Sequence, residues 1–429
     1  MKVSIVWLRR DLRIEDNTAL HFALNQQFPV LPVFIFDENI IIELSKDDAR
    51  LNFIHDCLDR LNRKLSSHQS GIKVFKKSIL ETWKILMKKY DIQSVYANED
   101  YEPYAISRDN EVSNLLKKYD IPFNLYTDHV AFKPGTILKG NGLPYIIYTP
   151  FRNKWLKHLD KHPIEILTES NLKNLIQSKF KLPTLQEIGF SSSKIKVKPF
   201  SMKTIGDYEM TRDFPAIDGT SYLGPHLRFG TVSIRSIIRS LNSSDSTFLS
   251  ELIWREFFMQ ILVFYPRVVD ENFKIKYNGI LWRNNEYEFD LWCKGKTGYP
   301  IVDAGMRQLN ETGYMHNRVR MITASFLCKH LLIDWRWGEA YFAEKLLDYE
   351  LASNNGNWQW VAGTGCDSSP YFRVFNPSTQ VLKFDKDLDY VTKWVPELNE
   401  LDYRPIVDHK LGRERALSVY KLGLESNIN

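Results

Sequence analysis

The sequence predicts an α/β domain with a doubly wound, Rossmann-like parallel sheet, followed by a larger all-α domain. In the first 127 residues, short apolar runs alternate with stretches of helical periodicity, a pattern typical of parallel sheets covered by helices. From about residue 200 onward, nearly all apolar spacing is helical. Between the two lie turn formers and a basic polar stretch. We therefore predict domains at 1–127 and 201–429, joined by a connector at 128–200.

The first half contains five predicted strands and four predicted helices. The strands are expected at 3–8, 30–36, 72–75, 94–97 and 123–126. The helices are expected at 16–25, which Asp16 would open, and at 48–65, 79–90 and 102–119. Parallel sheets bind ligands outside the carboxyl ends of their strands, but RRDLR follows the first strand where a glycine-rich phosphate loop would stand. A standard dinucleotide or P-loop site is not expected in this half.

The second half is predicted to consist of helices. A broad apolar face runs through 247–265, and 304–333 and 338–352 also show helical periodicity, interrupted by glycine and polar turns. The sequence Asn354-Asn355-Gly356 is expected to end a helix.

Composition narrows the class of protein. The 429 residues are 44% hydrophobic and carry a formal net charge of +5, as in an ordinary globular protein. No run of eighteen apolar residues is present, and the four cysteines form no CxxC motif, so we expect a cytoplasmic protein without a membrane span, zinc site or disulfide framework. Eight of the eleven tryptophans fall from Trp254 onward. They indicate either a large helical core or rings used for stacking or electron transfer, and composition alone favours the core.

Two local patterns could bind a nucleotide. Thr220, Ser221 and Gly224 precede a helical run, where hydroxyls and backbone N–H groups can hold a phosphate or simply cap the helix. Capping is the preferred interpretation of that pattern alone. Glu251, Trp254 and Arg255 share a helix face, which suits either a stacked base or an ion pair beside a core tryptophan.

Two further patterns lie downstream. Asn317 and Arg320 share a face, either to contact a base edge and an anion or as part of a solvated basic helix. The segment 348–360 places carboxylates and amides beside two tryptophans, which suits a buried heteroaromatic ligand. The alternative is a helix end followed by a packing corner, and the pattern does not decide between them.

Taken together, these segments resemble the photolyase/cryptochrome family, and class I cyclobutane pyrimidine dimer photolyases most closely. The resemblance runs nearly end to end, through WLRRDLRIEDNTAL, RDFPAIDGTSYLGPHLRFG, ELIWREF, GKTGYPIVDAGMRQLNETGYMHNRVRM, LLIDWRWGE and ASNNGNWQW…YFRVFNPSTQ. It implies bound FAD and light-driven repair of UV-damaged DNA that contains pyrimidine dimers.

The resemblance also implies a role for individual positions. Those expected to contact FAD are Tyr208, Thr220, Ser221, Tyr222, Leu223, Gly224, Phe248, Glu251, Arg255, Asn317, Arg320, Asp348, Glu350 and Asn354. Those expected to serve the chemistry are Glu251, Asn354, Trp282, Trp335 and Trp358, the three tryptophans as an electron relay. Those expected to contact the lesion or the DNA backbone are Arg212, Glu251, Trp254, Asn317, Arg318, Met321, Trp360 and Gln380.

Several positions depart from the family pattern or discriminate within it. Tyr222, Gly224 and Glu350 stand where many class I members carry Arg, Ser and Asp. The pair Tyr104-Ala105 replaces the Asn-Glu pair of folate-binding members, which argues against a folate antenna and leaves a deazaflavin, a second flavin or none open. The alternatives to dimer repair are a cryptochrome-type blue-light photoreceptor, which Asn354 disfavours, and a (6-4) photolyase, which Asn317 disfavours. We expect a monomer.

Overall fold

The computed structural model describes residues 1–167, 171–400 and 403–425. The chain divides into two compact units. The first comprises 1–136, the described part of 157–200, and 222–242. The second comprises 137–156, 201–221 and the described part of 243–429. The second unit thus includes 137–156, which the sequence analysis assigned to a connector.

The first unit contains a five-stranded parallel sheet in the order β3-β2-β1-β4-β5, which confirms the predicted fold class. The strands are β1 Lys2–Leu8, β2 Val30–Asp37, β3 Lys73–Lys77, β4 Asp91–Asn98 and β5 Phe123–Tyr126. The helices of this part of the chain are α1 Thr18–Leu24, α2 Glu38–Ile41, α3 Ala49–Ser66, α4 Ile79–Lys89, α5 Pro103–Lys117, α8 Leu223–Arg228 and α9 Ile234–Ser240.

The central strand β1 is buried on both faces. Val6 and Leu8 belong to one apolar cluster, whereas Ile5 and Trp7 belong to another. Successive side chains of a strand point to opposite faces, so these two clusters are the layers on either side of the sheet. This explains why the strands appear in the sequence as continuous apolar runs rather than alternating ones.

Polar side chains occupy the carboxyl ends of β1 and β4. Asn98 Nδ2 donates to Asp11 Oδ2 at 2.6 Å, and Arg9 Nη1 pairs with Asp109 Oδ1 at 2.5 Å. Arg13 Nη2 pairs with Asp128 Oδ2 at 2.6 Å. The RRDLR segment therefore folds into a buried ion-pair network at the place where a doubly wound sheet would hold a nucleotide.

The first helix begins later than predicted. Asn17, not Asp16, is its N-cap and accepts from the Leu20 N–H. Asp16 has a φ of 48°, and its carboxylate accepts from Arg235 Nε at 3.0 Å. Because the Asp16 carboxylate pairs with Arg235, the helix is capped by Asn17 instead.

The remaining elements are helical. The other α-helices are α6 Tyr148–Lys161, α7 Tyr208–Thr211, α10 Ser246–Phe264, α11 Glu286–Cys293, α12 Pro300–Thr312, α13 Asn317–Ser325, α14 Trp335–Lys345, α15 Leu351–Ala362, α16 Pro377–Phe384, α17 Asp389–Trp394 and α18 His409–Glu425. A π-helix, Phe326–Leu331, follows α13 directly. Short 3₁₀ turns lie at Leu172–Asn174, Ile205–Asp207, Ser243–Asp245, Pro266–Val269 and Ile275–Tyr277. None of the helices in the described residues is long and apolar enough to span a membrane.

Two predicted helix boundaries near the C-terminal tryptophans are wrong. The predicted helix at 338–352 is broken after Lys345, where the Leu347 N–H donates to Gly313 O at 3.0 Å. Helix α15 then runs straight through 354–356 and ends at Gly363, whose φ is +90°. Gly356 does not end the helix but allows close packing, because a Cβ there would lie 2.1 Å from Phe258 Cδ1.

Candidate active site

Helix α10 presents Glu251, Trp254 and Arg255 on one face, as the spacing predicts. Glu251 Oε1 lies 2.7 Å from Arg212 Nη1. Arg255 Nε lies 3.0 Å from Glu350 Oε2, a contact that is almost fully buried. Each charge on this face therefore has a partner from a distant part of the chain, so the face is held by tertiary contacts.

Glu251 has an environment that opposes its ionisation. Burial raises its pKa, and Arg212 beside it acts in the opposite direction. Its side chain as a whole is still 31% exposed.

An aromatic residue outside the predicted site covers Trp254. The Tyr148 ring stacks on the indole with centroids 3.6 Å apart and planes 8° apart. Phe258 and Phe257 also contact the indole, at 5.4 Å and 5.5 Å between ring centroids. Tyr148 belongs to a segment that the sequence analysis left without a role. The signal in the sequence was the helical spacing of Tyr148, Phe151 and Trp155.

Helix α13 positions the next group of predicted residues. Arg320 Nη2 pairs with Asp348 Oδ2 at 2.9 Å, and Arg318 Nη2 pairs with Asp213 Oδ1 at 2.5 Å. Asn317, at the first turn, is exposed. Residues of α13 such as Val319 are buried, so the helix is not the solvated basic helix considered above.

The N-cap of α13 is a histidine. His316 Nδ1 accepts from the Arg318 N–H at 3.2 Å. Burial and the nearby guanidinium groups of Arg320 and Arg318 lower its pKa to about 4. The neutral imidazole can accept a hydrogen bond at this nitrogen, which is what the cap requires.

Asn354 is oriented by a carboxylate that the sequence analysis missed. Its Nδ2 donates to Glu339 Oε1 at 2.9 Å and to Glu339 O at 3.0 Å. Burial raises the pKa of Glu339, and the bond from Asn354 opposes the rise. Within the described chain, no residue donates to Asn354 Oδ1.

The three tryptophans predicted to form a relay lie in or against the core of the second unit. Trp358 and Trp335 are 3% and 0% exposed, and Trp282 is partly buried against the same apolar cluster. Trp335 Nε1 donates to Asn272 Oδ1 at 2.9 Å. Gly338 makes room for Trp358, since a Cβ there would lie 2.1 Å from the indole. Two of the three rings are thus fully buried, and Trp282 is the most exposed of the three.

Trp360 and Met321 are both partly buried in the same unit, Trp360 on α15 and Met321 on α13. Because Trp358 and Trp360 lie within one straight helix, the packing corner considered for this segment is not present. Gln380 and Phe384 share a face of α16, and the Arg318 guanidinium lies 4.6 Å from the Phe384 ring.

The predicted phosphate segment is divided between the two units. Thr220 and Ser221 belong to the second, and the stretch from Tyr222 to Gly224 belongs to the first. Tyr222, with a φ of 53°, is the N-cap of α8, and its own side chain makes no capping bond. In the second unit, the Tyr208 and Phe248 rings meet edge to face at 5.3 Å.

Two family models match this chain. Residues 4–169 match the model described as DNA photolyase, and residues 248–413 match the model described as the FAD binding domain of DNA photolyase. The second match covers the helices that carry Glu251, Asn317 and Asn354.

Individual relatives match over nearly their whole length. A deoxyribodipyrimidine photo-lyase of Vibrio cholerae is 37% identical, over 98% of this chain and 99% of the relative. The crystal structure of an archaeal photolyase from Sulfolobus tokodaii, which holds two FAD molecules, has a TM-score of 0.86 and 35% identity, covering 98% of this chain and 100% of that chain. A cryptochrome from Synechocystis has a TM-score of 0.86 and 25% identity, covering 98% and 99% of the two chains. With sequence and fold agreeing from end to end, this chain belongs to the photolyase/cryptochrome family.

Proposed function

We propose that this protein repairs UV-damaged DNA by splitting cyclobutane pyrimidine dimers under blue light, with bound FAD. The observation that carries the proposal is the face of α10, where a half-buried carboxyl, Glu251, lies one turn from an indole, Trp254. A stacking ring and a carboxyl group beside it can together recognise an extruded pyrimidine dimer.

The residues present fit a flavin. The amide orientation of Asn354 leaves its Oδ1 as an acceptor, and the Arg255–Glu350 and Arg320–Asp348 pairs supply further polar groups. We assign cofactor contacts to these residues and to Phe248 and Tyr208. FAD, when bound, supplies and takes back one electron under light; binding and orientation are the task of the protein.

Glu251 would act on the lesion. A dimer that accepts one electron breaks the two bonds that join its rings and then gives the electron back, so no net oxidation occurs. Negative charge develops on the carbonyl oxygens of the dimer meanwhile. A protonated Glu251 can donate a hydrogen bond to such an oxygen, and the burial that raises its pKa favours that form.

DNA contacts would use the charged residues around this face. Arg212 and Arg318 are paired with Glu251 and Asp213 in the protein alone. Exchange of these partners for phosphates would give an affinity that falls as salt rises. Trp360 and Met321 would complete the lesion pocket, with Gln380 near Arg318 as a further backbone contact.

The test is repair of a thymine-dimer oligonucleotide by the purified holoprotein under blue light, with a dark sample as control. We expect light-dependent loss of the dimer. Glu251→Ala should lower the repair yield per absorbed photon. Glu251→Gln keeps a hydrogen-bond donor, so its yield should lie between those of Glu251→Ala and the unmodified protein. Bound FAD without light-dependent repair would reject this function and favour the photoreceptor alternative, which the likeness to a cryptochrome supports.

A further inference from the structure

The Tyr148 ring and the Trp254 indole are held in parallel contact. Their planes differ by 8° and their centroids lie 3.6 Å apart, closer than the roughly 4.5–7 Å usual for aromatic pairs. Tyr148 therefore covers one face of the indole and prevents it from tilting toward that side. A ligand that stacks on Trp254 must use the rest of its surface.

Tyr148 is fixed at both ends of the residue. Its hydroxyl lies 2.6 Å from Ser250 Oγ and donates to Ser250 O at 2.7 Å. Its backbone N–H donates to Asp367 Oδ2 at 3.0 Å. The side chain is buried, with the residue only 7% exposed. A ring with these bonds is a fixed wall and not a residue that moves aside when a ligand arrives.

Two further residues extend the contact between α6 and α10. The Phe151 and Phe257 rings lie 5.3 Å apart. Trp155 Nε1 donates to Glu256 Oε1 at 2.8 Å. Tyr148, Phe151 and Trp155 thus form one continuous stripe on α6 that packs along the helix carrying Glu251 and Trp254. This stripe, and not α10 alone, determines where the indole lies.

We propose that Tyr148 is a positioning residue for lesion recognition, holding the Trp254 indole in the plane against which a flipped dimer stacks. The inference rests on the proposed repair function. An indole without its wall would sample other rotamers, and ordering it on binding would cost affinity only for a ligand that stacks on it. Undamaged DNA would contact the surface arginines without inserting a base, so its affinity should not depend on the Tyr148 ring.

The experiment compares equilibrium dissociation constants for a thymine-dimer duplex and the identical undamaged duplex, in the dark. Tyr148→Leu removes the ring, and Tyr148→Phe, the matched control, keeps the ring and removes the hydroxyl. We expect Tyr148→Leu to weaken dimer binding about three- to tenfold with undamaged binding unchanged, and Tyr148→Phe to have a smaller effect. Tyr148→Met, which fills the space without a planar ring, replaces Tyr148→Leu if that variant does not fold.

A double-mutant cycle with Trp254→Ala completes the test. Since the wall acts through the indole, Tyr148→Leu should change nothing further in the Trp254→Ala background. An unchanged dimer preference in Tyr148→Leu, while Trp254→Ala loses it, would overturn the inference and leave the repair function standing. An equal effect in both backgrounds would also overturn it. No dimer preference in the unmodified protein would overturn the repair function and this inference with it.

Discussion

At the scale of single residues, the site is built from pairs that no local spacing reveals. Glu251 and Arg255 are four residues apart, yet their partners are Arg212 and Glu350. Asn354 owes its orientation to Glu339, a residue that the sequence analysis did not single out. The residue types could be found in the sequence, but the direction in which each polar group faces depends on its distant partner.

The Glu339–Asn354 contact gives a prediction for this scale. Glu339→Leu leaves Asn354 Nδ2 with the Glu339 backbone oxygen alone, and we expect a loss of about 1 kcal/mol in the free energy of unfolding. The freed amide can rotate, so the absorption fine structure of bound FAD should change as well. Glu339→Gln retains an acceptor oxygen and should resemble the unmodified protein in both thermal unfolding and spectrum. Identical spectra for the two variants would show that Glu339 does not orient Asn354.

At the scale of elements, the π-helix after α13 carries a buried lysine. Lys329 is 0% exposed, its Nζ donates to Ala362 O at 2.7 Å, and it lies 3.7 Å from the centroid of the Tyr420 ring. Burial lowers its pKa to about 7. The Tyr420 hydroxyl also donates to Ala362 O, at 2.9 Å, so the end of α15 has two donors from different elements.

We predict that Lys329 makes the free energy of unfolding rise with pH in the alkaline range. Between its folded pKa of about 7 and the ordinary lysine pKa of about 10.4, the unfolded chain binds more protons than the folded one. Stability contributed at this site therefore rises with pH across that range, by at most about 1.4 kcal/mol per pH unit. Lys329→Met should remove this rise in urea unfolding at several pH values, since Tyr420 still satisfies Ala362 O. Parallel curves for the two proteins would contradict the depressed pKa.

The cap of α13 predicts a dependence on acid. The pKa of His316 is about 4 in the folded protein, whereas it is about 6.5 in the unfolded chain. As pH falls through this range, the unfolded chain is protonated first, so the contribution of His316 to stability is lost. The charged groups around it are Arg320, Arg318, Asp213 and Arg212. His316→Asn keeps a good N-cap acceptor without a titrating ring and should lose less stability over this range in thermal unfolding. An equal loss in both proteins would assign the acid sensitivity elsewhere.

At the scale of the whole molecule, the helical unit combines a core and a proposed electron path in the same residues. Trp335 and Trp358 belong to a large apolar cluster of this unit, and Trp282 packs against that cluster from a partly exposed position. The uneven distribution of tryptophans is therefore explained first by packing. A test of the relay must separate the oxidation of these tryptophans from their contribution to core packing.

Trp282→Phe provides that test. Phenylalanine keeps an aromatic ring but is far harder to oxidise, so we expect slow light-driven reduction of bound FAD with an added thiol and a melting temperature close to normal. Repair should be intact once the cofactor has been reduced chemically. Trp335→Phe and Trp358→Phe should behave alike in photoreduction, although both are more deeply buried and should lose more stability. Normal photoreduction in all three variants would leave these residues as core.

The fold class, the approximate positions of the strands and the family could all be predicted from the sequence, because each depends on local periodicity or on motifs read in order along the chain. It placed all five strands to within a few residues. It misplaced the ends around Lys345 and Gly356, because the first is decided by a bond to Gly313 and the second by close packing on Phe258. Only the tertiary structure brought Tyr148 against Trp254, across about a hundred residues of chain. Contacts of that separation arise when helix faces pack, and a single sequence carries the faces but not their pairing.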